Sequence, residues 1–361
     1  MSITAQPAIT KVELKGYVEK ELVLNTTTGK YEVEFVLDHQ WGRVKFDVTK
    51  DNSTEPIRLT HNITQFKGTG IVPNKVEGST DDERLYADSD EMFNNGEYCY
   101  ALANGTKTYY KAVYDPKNNT LTIDVDLSKV TGVSVTGDAQ TDLVLNTTTG
   151  KFEGQFSLSE AWKSVHFLMK FGEDARDILI KYTNSTVKGT GVLSAMSTTG
   201  SPNTVELFAD TDNMVNAGTF MLSIGTEINY FVSFDPSTNV LMINVIPASM
   251  KVTTPNGNVD LVLNSETGLY EGEFTMPSGW PQASIVCVVN AQVDYKLKFS
   301  NTKYAGTGVV DHLAGCQWDS RLFCDNTDVA DGNLCVNLSA EKTFTISYDV
   351  KAGIVTINFK A

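Results

Sequence analysis

The chain has 361 residues, of which 41% are apolar and 20% are charged. This composition is that of a folded protein, and the length exceeds one typical domain of about 150 residues. The 29 Lys and Arg residues stand against 44 Asp and Glu residues, so the net charge is −15. An acidic surface repels phosphate backbones, and the sequence has no run of about 18 apolar residues. We therefore expect no nucleic-acid partner and no transmembrane segment in this chain.

A threefold internal repeat is the most informative feature of the sequence. A segment that begins LVLN recurs at Leu22, Leu143 and Leu261. In each copy a tryptophan, a Gly-Thr-Gly, an aromatic–acidic segment and a closing hairpin follow in the same order. The tryptophans of successive copies are 121 and 118 residues apart, a length that suits a complete small domain. We predict three domains, residues 1–128, 129–248 and 249–361, which we call repeats 1, 2 and 3.

The predicted elements of each repeat are strands joined by turns. The Asn-x-x-Thr-Gly segment after LVL predicts a hairpin loop in which Gly29, Gly150 and Gly268 adopt positive φ. Apolar and polar residues then alternate, as in KYEVEFVL, which is typical of a half-buried strand. A strand led by the tryptophan follows, then one short helical turn within ADSDEMFNNG. An Asp-Pro turn and a final strand from Leu121 to Val125 close the unit.

Short strands and turns of this kind predict a fold class. No segment of a dozen residues shows helical periodicity, and each repeat has room for seven or eight short strands. We predict an all-β protein of three tandem antiparallel β-sandwich domains with immunoglobulin-like proportions. The Cys-Trp-Cys pattern of antibody domains is missing from the sequence, which makes that subgroup a poor match.

One tryptophan in each repeat is the strongest functional signal. Trp41 and Trp162 fall on the opposite parity from the apolar residues of the strands that follow them. If those strands reached back that far, the indole rings would face away from the core. An exposed indole offers a flat apolar surface with one hydrogen-bond donor, which suits the face of a sugar ring. The alternative is a tryptophan that closes the end of the sandwich. We take Trp41, Trp162 and Trp280 as candidate ligand-binding residues.

Repeat 3 contains a second candidate binding surface. Trp318 occurs only in this repeat, beside Asp319 and Arg321, and lies between Cys316 and Cys324. Trp, Asp and Arg on one loop suit a sugar-binding surface whose polar groups orient the ligand, and packing of the loop itself is the alternative. The two cysteines are close enough in sequence for a local disulfide, and buried thiols fit the sequence equally well.

Motifs for catalysis and metal binding are scarce. The four histidines occupy different positions in their repeats, and no hydrolase, zinc-protease or nucleotide-binding motif occurs. One acidic pair recurs in each repeat: Asp88 with Asp90, Asp210 with Asp212, and Asp325 with Asp328. Three interpretations stay open for it, namely solvated loop and capping residues, calcium ligands, or the acid and base of a glycosidase. We expect no enzyme activity and no cofactor, with calcium as the alternative.

Several segments of the repeat carry a resemblance to a known family. They are VSVTGDA at Val133, the pattern [FY]-E-[GV]-x-F, the tryptophan-led strand, and the late segments GEYCYAL, GTFMLSI and GNLCVNL. In these the chain resembles the tandem sandwich domains of SusE/SusF-type outer-membrane surface glycan-binding proteins of Bacteroidetes, in a branch other than the starch binders. The resemblance implies a lipoprotein outside the cell, non-catalytic oligosaccharide binding, and outer-membrane glycan-uptake proteins as partners.

Two functions follow as expectations. The first is binding of a polysaccharide or oligosaccharide at the cell surface by tandem modules, whose weak sites add up through avidity. The alternative is a structural or adhesive stalk whose terminal domain contacts a protein partner. The first residues, MSITAQPAITK, lack the features of a secretory signal. A location on the extracellular face of the outer membrane therefore predicts that the export signal and lipid anchor are absent from this sequence.

Overall fold

The computed structural model describes residues 8–360 except 61, 184, 194–202, 210, 291–292, 299–302, 311–319 and 325–330. The chain divides into two compact units. Unit 1 comprises residues 1–131 and 169–178, and unit 2 comprises residues 132–168 and 179–361. Each sheet is built from the strands of a single repeat. Three separately folded domains stay a prediction, because unit 2 combines repeat 3 with most of repeat 2.

Repeat 1 forms two five-stranded sheets. One sheet has the order β2-β1-β5-β6 with β8 also on β5, and the other has the order β3-β4-β9-β10-β7. The elements are β1 Ile9–Gly16, β2 Lys20–Glu21, β3 Val23–Asn25, β4 Lys30–Leu37, β5 Arg43–Lys50, β6 Ile57–Arg58, β7 Phe66–Lys67, α1 Asp90–Asn95, β8 Tyr98–Cys99, β9 Thr108–Asp115 and β10 Thr120–Val125, followed by a 3-10 helix at Leu127–Lys129.

Repeat 2 has the same arrangement in one nine-stranded sheet, because one strand continues where repeat 1 has the break between β2 and β3. Its elements are β11 Gly132–Gly137, β12 Thr141–Asn146, β13 Lys151–Leu158, β14 Ser164–Lys170, β15 Ile178–Leu179, β16 Val187–Lys188, α2 Asp212–Asn216, β17 Phe220–Met221, β18 Ile228–Asp235 and β19 Val240–Val245. The first half of β12 pairs with β11 and its second half with β13, so this strand passes from one layer to the other.

Repeat 3 follows the topology of repeat 2, again in a nine-stranded sheet. Its elements are β20 Ser249–Thr254, β21 Gly257–Leu263, β22 Tyr270–Met276, β23 Gln282–Asn290, β24 Val293–Lys296, β25 Tyr304–Ala305, β26 Asn333–Cys335, β27 Lys342–Asp349 and β28 Ile354–Phe359. No helix in the described ranges has both the length and the apolar character needed to cross a membrane.

The core lies between the two layers of each repeat. In repeat 1, Phe35 of β4 stacks on Tyr110 with ring centroids 5.1 Å apart, and meets the edge of Phe46 from the other layer at 6.4 Å. In repeat 2, Phe156 contacts Tyr230 and Phe167 in the same two ways. The predicted alternation is confirmed in β10, where Leu121, Ile123 and Val125 are buried between half-buried residues. In β4 it holds for Phe35 and Leu37, which are buried, whereas the other apolar residues of that strand are only half buried. The all-β class and the sandwich layers follow from this period-two burial.

One pair of strands in each repeat differs from the antiparallel prediction. The short strand β7 runs parallel to β10, with Phe66 opposite Leu121, and β16 and β25 pair in the same way with β19 and β28. These short strands do not reach their partner through a tight hairpin, which would force an antiparallel pairing. They enter the edge of the sheet from a long connection, and the alternation of residues cannot reveal that direction.

The repeated hairpin loop has the predicted conformation, and its side chains explain why it recurs. Gly29, Gly150 and Gly268 have φ of 69°, 71° and 72°. In repeat 1 the Asn25 side chain accepts hydrogen bonds from two loop amides and donates to Glu32 at 3.1 Å. Asn146 and Asn264 make the equivalent bonds in the other repeats. The motif is therefore a fold determinant, because it holds two strands in register.

Candidate functional site

The recurring tryptophans are half exposed at the turn that precedes the second long strand. Trp41, Trp162 and Trp280 expose 52%, 58% and 50% of their surface. The backbone N–H of Trp41 donates to the carbonyl of Tyr100 at 2.7 Å, and that of Trp162 donates to Leu222 at 2.7 Å. The backbone of this turn is thus fixed by the same bond in two repeats, while the indole extends toward solvent.

The backbone conformation of this turn is unusual for a large residue. Trp41 and Trp162 have φ of 65° and 68°. This left-handed region is rare for bulky side chains and costs of order 1–3 kcal/mol. In repeat 3 the left-handed residue is Gly279, with φ of 99°, and Trp280 follows it directly. The turn therefore has two backbone conformations. In repeats 1 and 2 the tryptophan itself adopts the left-handed conformation, whereas in repeat 3 the preceding glycine adopts it without strain. The tryptophan is present at this turn in all three repeats.

In repeat 1 a pair of stacked aromatic rings lies next to the tryptophan. The rings of Tyr17 and His39 stack with centroids 5.1 Å apart and an angle of 11° between the planes. Tyr17 is 48% exposed, and its hydroxyl donates to Asp38 at 3.0 Å. That hydrogen bond raises the pKa of Tyr17 above its ordinary value. A flat aromatic surface with a fixed carboxylate beside it therefore lies two residues from Trp41.

Amide and charged side chains surround this turn. The backbone N–H of Gln40 donates to the side chain of Asn104 at 2.8 Å, and the Gln40 amide donates to the carbonyl of Ala101 at 3.2 Å. Arg43 pairs with Glu97 at 3.1 Å. Aromatic faces combined with a few oriented polar groups are the usual composition of a site for a polar ligand with an apolar face.

The corresponding turn of repeat 2 has a different chemistry. At the place of Tyr17 it has Asp138, which accepts from the Ser164 backbone at 2.7 Å and pairs with Lys163 at 3.3 Å. The bond from Ser164 is the main cause of a lowered pKa of Asp138. Repeat 1 therefore offers the larger aromatic surface, because the stacked rings of Tyr17 and His39 lie beside its tryptophan and a charged Asp138 stands at the place of Tyr17 in repeat 2.

The second predicted surface, in repeat 3, is only partly described. Trp318, Asp319 and Cys316 lie outside the described residues, and so does any disulfide from Cys316 to Cys324. Arg321 is exposed and Cys324 is buried. Cys99 and Cys287 are also buried, and burial raises the pKa of both thiols. Such thiols are poor nucleophiles at neutral pH.

The described members of the acidic pairs lie at or just before helix starts, with Asp88 directly before the cap residue of α1. Asp90 and Asp212 are the first residues of α1 and α2, and the caps are Ser89 and Thr211, whose side chains accept from helix amides. Asp90 pairs with Lys75 at 2.6 Å. Asp210, Asp325 and Asp328 lie outside the described residues. Within the described ranges no three His, Cys, Asp or Glu side chains come close enough together to hold a metal ion.

Sequence reasoning missed two sets of surface residues. One is the Tyr17–His39 stack, whose members are far apart in sequence and meet only because β1 pairs with β5. The other is a Val-Leu pair in each repeat, in which Val23, Val144 and Val262 are 72%, 73% and 71% exposed. The alternation of residues gives no signal for the second set, because the chain leaves one layer for the other just before these valines.

Comparisons with known proteins assign no family. No protein-family model matches the chain, and no curated protein matches it. Among solved structures it is similar to SusF from Bacteroides thetaiotaomicron, with 13% sequence identity and a TM-score of 0.30. The similarity covers 100% of this chain and 69% of that chain. At this score it does not define a common fold, and any function has to be inferred from the residues of the site.

Proposed function

We propose that this chain is a non-catalytic carbohydrate-binding protein of the cell surface, which binds a polysaccharide or oligosaccharide through its tandem β-sandwich repeats. The observation that carries the proposal is the half-exposed tryptophan at the same turn of each repeat. In the other recurring motifs the side chains serve the fold: the Asn of the loop bonds the backbone, and Ser89 and Thr211 cap helices. The Val-Leu pair of each repeat is also exposed, but the tryptophan combines its exposure with a large aromatic face and a hydrogen-bond donor.

The site residues fit a sugar ring better than a charged or fully apolar ligand. A pyranose has an apolar face that stacks on an indole and hydroxyl groups that bond to amides and carboxylates. In repeat 1 such groups are Asn104 and Asp38, close to the stacked rings of Tyr17 and His39. Trp162, Trp280 and the group of Trp318, Asp319 and Arg321 are proposed as further contacts. Several weak contacts on one chain raise affinity for a repeating polymer through effective concentration.

Alanine substitution of the tryptophans tests this function. The full chain is run in native gels that contain one soluble polysaccharide each, from a panel of neutral and acidic polymers. We expect retardation by at least one polymer. We expect Trp41→Ala to weaken binding about fivefold or more, since a stacked aromatic contact in a binding site is often worth above about 1 kcal/mol. The triple variant at positions 41, 162 and 280 should lose retardation by neutral polymers.

A matched control uses the exposed valines. Val23→Ala, Val144→Ala and Val262→Ala together remove an exposed apolar residue from each repeat without touching an aromatic ring. This variant should bind like the unmodified chain, and near-ultraviolet circular dichroism reports whether each variant is folded. If no polysaccharide retards the chain, or if the tryptophan triple variant is retarded as strongly as the unmodified chain, carbohydrate binding by this surface is wrong. The stalk with a protein partner would then be the better proposal.

A further inference from the structure

Unit 1 contains a cavity of about 1030 Å³ at the end of repeat 1 where β1 begins and β9 turns into β10. Its volume is at the upper end of the range for ligand sites. One wall is a row of cross-strand neighbours, in which Leu24 lies opposite Tyr31 and Tyr31 lies opposite Tyr114. Ile57 of the other layer lines the cavity as well and is 49% exposed. The cavity is thus apolar and aromatic along its sides.

The charge of this cavity is opposite to that of the whole chain. Lys50, Arg58 and Lys117 line it, and among the described residues of its lining there is no Asp or Glu. The chain as a whole has a net charge of −15. A basic cavity in an acidic protein does not follow from composition, and it attracts anions locally even though the distant surface repels them.

Two of the three basic residues have no acidic partner among the residues that the structure describes. Arg58 bonds to the buried carboxylate of Asp47 and donates to the carbonyl of Asn95 at 3.2 Å, so the fold uses its guanidinium. Lys50 is half buried and Lys117 is exposed, and in the described part of the chain neither ammonium group lies within 4.0 Å of a carboxylate. These two groups remain available to a ligand.

In repeat 3 the residues equivalent to this wall are covered by other parts of the chain. There the row is Leu263, Tyr270 and Tyr348, and the hydroxyl of Tyr348 lies 3.2 Å from the Thr190 hydroxyl of repeat 2. Tyr295, which takes the place of Ile57, is 8% exposed and donates to the carbonyl of Thr190 at 3.1 Å. The row therefore packs against other groups within unit 2, whereas in repeat 1 it lines an open cavity.

We propose that the cavity of repeat 1 binds an anionic segment of polysaccharide, a chain that carries carboxylate or sulfate groups. This inference rests on the proposed carbohydrate-binding function and names its substrate class. Lys50 and Lys117 bind the anionic groups through charge-assisted hydrogen bonds. The wall of Leu24, Tyr31 and Tyr114 packs against the apolar faces of the sugar rings. The tryptophan turn is a separate surface of the same repeat.

Matched pairs of polymers test the inference on the full chain. Polygalacturonate is compared with its methyl ester, and dextran sulfate with dextran, in native gels and by calorimetric titration. We expect binding to one or both anionic polymers, much weaker binding to their neutral partners, and loss of affinity as salt rises. Substitution of both Lys50→Gln and Lys117→Gln should weaken binding about tenfold, which corresponds to about 1.4 kcal/mol. The two anionic polymers also distinguish carboxylate from sulfate.

The control variant carries Lys181→Gln and Lys188→Gln. Both lysines are exposed in repeat 2, so this variant has the same net charge with the cavity intact, and its affinity should be unchanged. Equal losses in the two variants would mean a general charge effect and would overturn the cavity site. Binding to neutral polymers alone, dependent on the tryptophans and not on Lys50 or Lys117, would also overturn it and leave the proposed function standing. Binding to no polysaccharide would overturn both proposals.

Discussion

At the scale of single residues, the Gly-Thr-Gly motif shows how closely the backbone packs at the parallel edge strand. Gly68 has φ of 116°, and a Cβ at this position would lie 2.2 Å from the carbonyl oxygen of Ile123. The backbone N–H of Thr69 donates to Asp124 at 2.8 Å, and Thr190 and Thr307 make the same bond to Asn244 and Asn358. The motif recurs because only glycine fits against this carbonyl.

Substitution of this glycine gives a stability prediction with an internal control. Gly68→Ala forces both a disfavoured φ and a clash with backbone, so we expect a loss of more than about 2 kcal/mol in the free energy of unfolding. Gly29→Ala is the control, since Gly29 has φ of 69° and no atom lies within 4 Å of a Cβ placed there. It should cost only about 1 kcal/mol. Urea denaturation measures both, and equal losses would contradict the packing argument.

At the scale of elements, the β3–β4 hairpin is held by a carboxylate between two partners. Glu32 accepts from Asn25 at 3.1 Å and pairs with Lys111 of β9 at 3.0 Å. The bond from Lys111 is the main cause of a lowered pKa of Glu32. The carboxylate thus joins three strands, and its ionised form is more favourable in the folded than in the unfolded chain.

This pKa has a predictable effect on stability. Because the folded pKa is lower than the unfolded value of 4.5, Glu32 stabilises the fold above pH 4.5. The stabilisation is lost as the pH falls through the folded pKa. Glu32→Gln should therefore lower the urea midpoint at pH 7, and the difference from the unmodified chain should shrink in acid. Glu19→Gln, at an exposed position outside the hairpin, is the control. If the difference in urea midpoint between Glu32→Gln and the unmodified chain does not change with pH, the stabilisation does not come from the ionised Glu32 carboxylate.

At the scale of the whole molecule, repeats 2 and 3 share unit 2 through buried polar contacts. Tyr295 and Tyr348 both bond to Thr190, and the Asn244 amide donates to the carbonyl of Lys351 at 3.1 Å. The carboxylate of Glu206 is 3% exposed and pairs with Lys298 at 3.4 Å. Buried polar groups that lose a partner cost more than the bond itself contributes. These contacts should make the two repeats unfold together.

Calorimetry of the full chain tests this coupling. The unmodified chain should unfold unit 2 in one transition. Tyr295→Phe combined with Tyr348→Phe removes two hydroxyl groups that bond to Thr190 and should lower the stability of unit 2 by about 2–4 kcal/mol, or split its transition into two. Tyr110→Phe, which removes a bond to Glu83 within repeat 1, should affect unit 1 instead. Separate transitions of repeats 2 and 3 in the unmodified chain would contradict the coupling.

Much of the fold could be predicted because its determinants are local. Period-two alternation, the Asn-x-x-Thr-Gly loop and the Asp-Pro turn act within a few residues, and the short helix Asp90–Asn95 lies inside the segment predicted for it. The residues that determine the candidate site are farther apart in the sequence. The exposure of Trp41 depends on a left-handed backbone held by Tyr100, far along the chain. The sequence-based inference for Trp41 required the strand to reach back to this residue, but β5 begins at Arg43, so the indole is exposed for a different reason.

The repeat itself, its strands and its turns were determined by the sequence alone, since hydrophobic alternation and turn residues leave few other conformations. Only the tertiary structure decided which residues meet across strands. It brought Tyr17 onto His39, and it lined one end of repeat 1 with Lys50 and Lys117 while the matching end of repeat 3 packed against repeat 2. Such contacts depend on how strands pair and how repeats pack, and no short segment of the chain encodes them.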